Sequence, residues 1–143
     1  MATLEGSVLL VNEKVRFAGT AGSKAPIMID YTPPLGDGEG YTSLQLLLLS
    51  LSSCAGTAVL TLLRRMGRTV SAFEVRACGE RREEHPTSFS TIDLEFVVQT
   101  PDAVDTDVRK AIDLSEASLC PVWAMLKGNV EIRTTIRMLT AVA

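Results

Sequence analysis

The sequence is poor in the residues that metal sites, disulfide frameworks and nucleic-acid surfaces need. Its 143 residues include three cysteines and one histidine, His85. The cysteines, Cys54, Cys78 and Cys120, are too far apart to form the CxxC pairs of zinc sites, and they do not resemble a disulfide framework. The cysteine spacing therefore gives no reason to expect a metal site. The 14 basic residues are scattered and the formal net charge is −3, so a basic nucleic-acid surface is not expected either.

The first 17 residues lack the features of a secretory signal. Glu5, Asn12 and Glu13 interrupt them, so there is neither a basic leading segment nor an unbroken apolar stretch. We therefore expect a cytoplasmic protein. Thiols in that compartment stay reduced unless they are catalytic or redox-sensing, which makes the chemistry of the three cysteines the central question.

Charged side chains are missing from residues 40–63. An apolar run of this length is long enough to cross a bilayer, but its many serine, threonine and glycine residues favour a buried helix in a soluble core. Thr42 and Gln45 have the spacing of a capping box, and arginines follow at the other end of the run. The pattern predicts a long helix over about residues 42–66 and no membrane partner.

The remaining periodicities predict one α+β domain over residues 1–143, because strands and helices are mixed without a linker or repeat. Alternating apolar residues predict strands and 3.6-residue periodicity predicts helices. Besides the long helix, the predicted elements are N-terminal strands within 1–32, a hairpin at about 72–99, an amphipathic helix at about 103–118, a short helix at 121–127 and a last strand at 129–139.

Cys120 has the most favourable local sequence for a reactive thiol. Pro121 suits the first position of a helix and Gly128 suits its end, so Cys120 is predicted to be the N-cap of the short helix. Backbone N–H groups and the helix dipole at such a position lower the pKa of a cysteine. The sequence around Cys54 offers no such help, and taken alone Cys54 resembles core filler.

The other candidate residues are best explained without a catalytic or metal-binding role. Cys78 shares a predicted strand face with charged residues and is interpreted as an incidental, exposed or interface thiol. His85 precedes a proline in a polar turn, and no Gly-x-Ser-x-Gly turn exists for it to serve as a base. A zinc site made from the three cysteines and His85 has no supporting spacing.

Three segments, in order, resemble the signature segments of the OsmC/Ohr family of thiol-dependent peroxidases. They are LQLLLLSLSSC, GERREEHP and AIDLSEASLCPV, and the resemblance covers about residues 40–138. It implies an OsmC-like α+β fold in which antiparallel sheets wrap around a long central helix. It also implies an intertwined homodimer with two active sites at the subunit interface.

The resemblance also implies roles for two cysteines. Cys54 would be the peroxidatic cysteine, which attacks an organic hydroperoxide and becomes a sulfenic acid, and Cys120 would resolve it as a disulfide. A dithiol, in the family often lipoyl-based, would then reduce the disulfide. No metal, flavin or haem cofactor is implied, and no nucleic-acid or membrane partner.

Two supporting residues are implied at positions where this chain departs from the family pattern. The family has a glutamate nine residues before the helix cysteine, which holds an arginine against the thiolate. Here Gln45 stands at that position, and the N-terminal strands offer Arg16. The alternative function is therefore an OsmC-like dimeric small-molecule binding protein with little or no peroxidase activity.

Overall fold

The computed structural model describes residues 2–140, which divide after Leu47 into two compact units. The described part of the chain contains two three-stranded sheets and a set of helices, so the predicted α+β class is confirmed. The prediction that a single domain covers the whole chain stays a prediction. The elements are β1 (Gly6–Leu10), β2 (Phe17–Ala21), β3 (Ile27–Ile29), α1 (Ser43–Arg65), β4 (Ala72–Arg81), β5 (Phe89–Thr100), α2 (Asp105–Leu114), a π-helical turn (Ser115–Leu119), α3 (Pro121–Leu126) and β6 (Glu131–Thr140).

The first unit is an antiparallel meander, β1-β2-β3, followed by a loop that leads into α1. All five residues of β1 are exposed. The loop folds around Asp30, whose carboxylate is buried and accepts hydrogen bonds from backbone N–H groups. A buried carboxylate needs such donors, since an unpaired one would be costly to desolvate.

Helix α1 begins as the sequence predicts. The Thr42 N–H donates to Gln45 Oε1 at 2.8 Å, and the Gln45 N–H donates to Thr42 Oγ1 at 3.2 Å, which together form the capping box. After the last turn, Gly67 has a positive φ of 80°, which glycine adopts without the penalty that a Cβ brings. The helix thus spans 43–65, within one residue of the predicted bounds at each end.

Within the described residues, α1 is the one helix long and apolar enough to cross a membrane by length and composition. Six of its residues are nevertheless buried in a stripe, as expected of a helix that packs on a soluble core. Gly56 lies on this stripe, where a Cβ would come within 3.2 Å of Val75 and 3.3 Å of Phe73 on β4. A small residue therefore permits the close approach of helix and sheet.

The second unit is built on the sheet β4-β5-β6. Its middle strand contributes more buried hydrophobic residues than any other element: Phe89, Ile92, Leu94, Phe96, Val97 and Val98. The predicted hairpin of β4 and β5 is antiparallel, with Val75 opposite Phe96. The expectation that the sheets are wholly antiparallel is wrong, because β5 and β6 are parallel, with Ile92 opposite Ile132. A crossover through α2 and α3 joins them and returns the chain in the same direction.

The predicted amphipathic helix ends earlier than expected. Helix α2 covers 105–114, and residues 115–119 form a π-helical turn in place of the last α-helical turn. At the start of α2, Asp107 accepts the N–H of Val104 at 3.0 Å. Asp102 lies before the helix and accepts the Thr69 N–H. The π turn leads directly to Cys120, and π-helical segments are often associated with functional sites.

Candidate functional site: a cysteine pair beside an apolar groove

The structure brings together two cysteines that are 66 residues apart in the chain. Cys54 lies half-buried in the middle of α1, and Cys120 is buried at the start of α3. Their sulfur atoms are 2.9 Å apart, and the Cys120 thiol donates to Cys54 Sγ. A disulfide bond is about 2.05 Å long, so the two sulfurs lie only about 1 Å beyond bonding distance. The arrangement can interconvert between a dithiol and a disulfide with little movement.

Local structure on both sides fixes the position of Cys120. The Cys120 N–H donates to the Ser115 carbonyl across the π turn at 3.0 Å. On the other side, Cys120 is the N-cap of α3 with Pro121 in the first turn, and Cys120 Sγ accepts the Trp123 N–H at 3.4 Å. The predicted N-cap is therefore confirmed. The buried ring of Trp123 anchors α3 in the core and holds this cap in place.

The sequence predicts a lowered pKa for the Cys120 thiol, and this prediction is wrong. Burial and the hydrogen bond to Cys54 raise the pKa of the Cys120 thiol to about 11, although the backbone N–H groups of Trp123 and Val122 act in the opposite direction. Loss of solvation disfavours a thiolate, and here it outweighs the end of a six-residue helix. At neutral pH Cys120 is consequently a thiol that can donate its proton to the neighbouring sulfur.

An open groove of about 400 Å³ runs along α1 from Cys54. Residues on one face of α1 form its floor, and Leu119 and Pro121 lie along its side next to Cys120. Its surface is mainly apolar, and its volume falls within the range of small-molecule sites, about 300–1,000 Å³. The remaining residues of the floor are Thr57, Ala58, Thr61, Leu62 and Arg65. The groove thus offers space for an apolar molecule in contact with the Cys54 thiol.

The two residues implied as supports have other partners within the first unit. The Gln45 side chain is an acceptor in the capping box with Thr42. Arg16 lies with Nε 3.6 Å from Asp30 Oδ2 and Nη2 3.5 Å from Asp37 Oδ2. These contacts account for the positions of both side chains in that unit, and their roles near a thiolate remain predictions.

The carboxylate that faces Arg16 has an altered pKa. Burial raises the pKa of Asp30, but hydrogen bonds from the N–H groups of Glu39, Tyr31 and Asp37, together with the charge of Arg16, outweigh burial and hold it below the ordinary value of 3.8. A carboxylate that accepts several backbone N–H bonds favours its charged form. Asp30 therefore stays ionised at any pH at which the protein would normally work.

This lowered pKa predicts acid sensitivity of the first unit. A lowered folded-state pKa contributes stability that is present above the unfolded value of 3.8 and is lost as the pH falls through the folded value. The Tyr31 amide NMR signal, whose N–H donates to Asp30 Oδ1 at 2.8 Å, should titrate with a midpoint below 3.8. Asp30→Asn should remove that titration, whereas a midpoint above 3.8 in the wild type would contradict the assignment.

The remaining candidates lie apart from the cysteine pair. Cys78 is exposed on the outward face of β4, beside the predicted charged residues, and His85 is exposed in the β4–β5 turn. Across residues 2–140, no group of three or more histidine, cysteine, aspartate and glutamate side chains is arranged to hold a metal ion.

Two residues that line the groove, Arg65 and Leu119, were not singled out in the sequence. Arg65 lies eleven residues after Cys54, which is close to three full turns of an α-helix, so both face the same side of α1. This spacing could have been read from the sequence once the helix was predicted. Leu119 could not, because it reaches the groove only through the tertiary packing of the π turn.

The two small sheets, the long apolar helix and the adjacent thiols define a class: an α+β protein with two neighbouring cysteines beside an apolar groove. Residues 36–135 match the family described as OsmC-like protein. Protein YhfA of Escherichia coli strain K12 is 31% identical over 129 residues, which cover 90% of this chain and 94% of that protein. This chain belongs to the OsmC-like protein family, which confirms the resemblance seen in the sequence.

Solved structures agree with this assignment. A hypothetical protein from Aquifex aeolicus VF5 is 25% identical, with a TM-score of 0.86 over 98% of both chains. An organic hydroperoxide resistance protein OsmC from Legionella pneumophila is 12% identical, with a TM-score of 0.70 over 96% of this chain and 98% of that one. At such low identity, the second likeness shows that the fold is shared.

Proposed function

We propose that this OsmC-like protein is a thiol-dependent peroxidase that reduces organic hydroperoxides through Cys54 and Cys120. The observation that carries the proposal is the 2.9 Å separation of the two sulfurs beside an apolar groove. The fold shared with an organic hydroperoxide resistance protein supports the substrate class. In this role the protein would detoxify hydroperoxides in the cytoplasm.

In the first step, the Cys54 thiolate attacks the terminal oxygen of the hydroperoxide, the O–O bond breaks, and the alkoxide leaves and takes up a proton to become an alcohol. Cys54 is oxidised to a sulfenic acid. The groove holds the alkyl part of the substrate, because apolar walls bind an apolar chain and exclude water. The neighbouring thiol of Cys120 stays protonated through this step, since its pKa is raised to about 11.

In the second step, Cys120 sulfur attacks Cys54 sulfur, a disulfide forms, and the sulfenic hydroxyl leaves with the Cys120 proton as water. An external dithiol, for which a lipoyl group is the candidate, then supplies two electrons and two protons and is itself oxidised to a disulfide. The proposal includes a homodimer with the two sites at the subunit interface. It requires no metal, flavin or haem.

The test is a titration of free thiols. Addition of one equivalent of cumene hydroperoxide to the fully reduced protein should remove two of the three thiols per chain and leave Cys78 free. Peptide mapping should then find a Cys54–Cys120 disulfide, and a dithiol should restore both thiols. An unchanged thiol count, or a disulfide that includes Cys78, would refute the two-cysteine cycle.

The second candidate is a dimeric small-molecule binding protein with little or no peroxidase turnover. Two observations favour it: Gln45 and Arg16 both have other partners, and the raised pKa of Cys120 slows its own attack as a thiolate. Binding of an apolar ligand to the groove, with no loss of thiols after hydroperoxide addition, would select this function over the peroxidase.

A further inference from the structure

The two neighbouring sulfurs have the spacing of a chelating dithiol. Cys54 Sγ and Cys120 Sγ lie 2.9 Å apart, and both cysteines are free. Because 66 residues separate them in the chain, the fold, and not a short sequence motif, holds the pair together. Thiol sulfur is a soft ligand, so two thiols side by side can bind one soft, thiol-seeking atom at the same time.

The small number of ligands does not suit a metal cation. A zinc ion is usually held by four protein ligands, or by three and an open position. In the part of the chain that the structure describes, no further histidine, cysteine, aspartate or glutamate completes such a set. Cys78 is exposed on the outward face of β4, whereas Val75, on the opposite face of that strand, lies close to Gly56 of α1. The atom that suits this pair therefore needs only two sulfurs from the protein.

The distance between the sulfurs favours a bent arrangement about the bound atom. Two sulfurs on opposite sides of an atom lie about 4.6 Å apart if each bond is about 2.3 Å, the length of a zinc–sulfur bond. At roughly right angles, the same bonds place the sulfurs about 3.3 Å apart. The observed 2.9 Å is close to the second value, so the sulfurs would separate by only about 0.4 Å. Trivalent arsenic, whose three bonds form a pyramid with nearly perpendicular edges, has this geometry.

We propose that the reduced pair binds trivalent arsenic that carries one apolar organic group, as in an arylarsonous acid. Two of the three bonds of the arsenic would go to Cys54 and Cys120, and the third would hold the organic group. Cys54 lines the apolar groove, so this group would lie against the surface formed by Ala58, Leu62 and Leu119. The inference does not rest on the proposed peroxidase activity, because it needs no hydroperoxide.

The binding reaction is a condensation. Each thiol sulfur forms a bond to arsenic, two arsenic–oxygen bonds break, and each thiol proton leaves with a hydroxyl group as water. Arsenic stays trivalent and the sulfurs are not oxidised. The Cys120 thiol, whose pKa is raised to about 11, carries the proton that this reaction uses at neutral pH. The Trp123 N–H, 3.4 Å from Cys120 Sγ, can continue to donate to the sulfur once it is bound to arsenic.

The groove predicts selectivity among compounds of trivalent arsenic. Inorganic arsenite, after two bonds to sulfur, still carries a hydroxyl group, which an apolar surface does not stabilise. A methyl group buries little area in the groove, and a phenyl ring buries more, so the affinity should rise with the apolar area removed from water. We expect phenylarsonous acid to bind about tenfold more tightly than methylarsonous acid, and inorganic arsenite to bind least tightly.

The test uses phenylarsine oxide, which hydrates to phenylarsonous acid, and the fully reduced protein without oxygen. One equivalent should remove two of the three thiols per chain, and the intact mass should rise by one phenylarsenic group less two hydrogens. An excess of 2,3-dimercaptopropanol should reverse both changes. Cys54→Ser and Cys120→Ser each leave a single sulfur and should weaken binding by at least about a hundredfold. Cys78→Ser is the matched control and should bind as tightly as the wild type.

Ala58→Phe tests the groove separately, because Ala58 lies one turn after Cys54 on the same face of α1. The larger side chain should abolish the preference for the phenyl over the methyl compound and leave the affinity for the methyl compound unchanged. Loss of no thiol or of only one, equal affinities of the two compounds in the wild type, or an unchanged preference in Ala58→Phe would each overturn the proposal. If the arsenical binds while hydroperoxides leave the thiols intact, this site stands and the peroxidase proposal fails.

Discussion

Cys54→Ser is expected to reduce the rate of organic hydroperoxide reduction by at least roughly a thousandfold, because the hydroxyl that replaces the thiol is a poor nucleophile and no other described thiol lines the groove. The consumption of a hydroperoxide, followed with a dithiol reductant in excess, measures the effect. Serine keeps nearly the same volume, so the fold should be unaffected.

Two further variants separate the roles within the pair. Cys120→Ser should consume one equivalent of peroxide per chain and then stop, with a sulfenic acid on Cys54 that dimedone traps. Cys78→Ser is the matched control, because this cysteine is exposed on β4 and should leave turnover unchanged. Full activity of Cys54→Ser would contradict the assignment of the nucleophile, and full steady-state activity of Cys120→Ser would contradict that of the resolving thiol.

The largest effect on stability is expected from Trp123→Ala. Trp123 is the largest of the fully buried side chains, with 2% of its surface exposed, and it anchors α3 to the core. Truncation of a buried tryptophan leaves a cavity that the surroundings fill only in part, and the free energy of unfolding should fall by about 3–5 kcal/mol. Urea unfolding followed by circular dichroism measures this change, because the variant lacks the one tryptophan of the chain.

Met125→Ala on the same helix is the control for this experiment. Its side chain is 69% exposed, so its loss should change the free energy of unfolding by less than about 0.5 kcal/mol. Trp123→Ala keeps the backbone N–H that Cys120 Sγ accepts, but loss of the ring that anchors α3 should loosen this N-cap. Similar stability losses in the two variants would mean that α3 is not anchored as the structure indicates.

Local patterns in the sequence predicted most of the fold. The capping box at Thr42 and Gln45, the alternation along β4 and β6, and the Cys120 N-cap each depend on neighbouring residues, so they are visible in the sequence. The direction of β6 next to β5 was not, because the connection is long enough for the chain to return either parallel or antiparallel to β5.

The sequence could single out the two cysteines that the structure brings together, but not the electrostatics around them. The family resemblance selected Cys54 and Cys120, and the structure places them in contact. The raised pKa of Cys120 depends on burial, which is a tertiary property, and the local helix end gave the opposite expectation. Helical periodicity could have placed Arg65 on the same side of α1 as Cys54. Only the groove, which is a tertiary feature, singles it out.

The π-helical turn at residues 115–119 makes the geometry of the pair sensitive to chain length. A π turn takes one more residue per hydrogen-bonded ring than an α-helix. It therefore determines the direction in which the Cys120 side chain points at the start of α3. Removal of a single residue here would restore an α-helical turn and carry the sulfur away from α1. Insertions and deletions in this short segment can therefore alter or abolish the contact between the two cysteines in evolution, without any change to either cysteine or to the core.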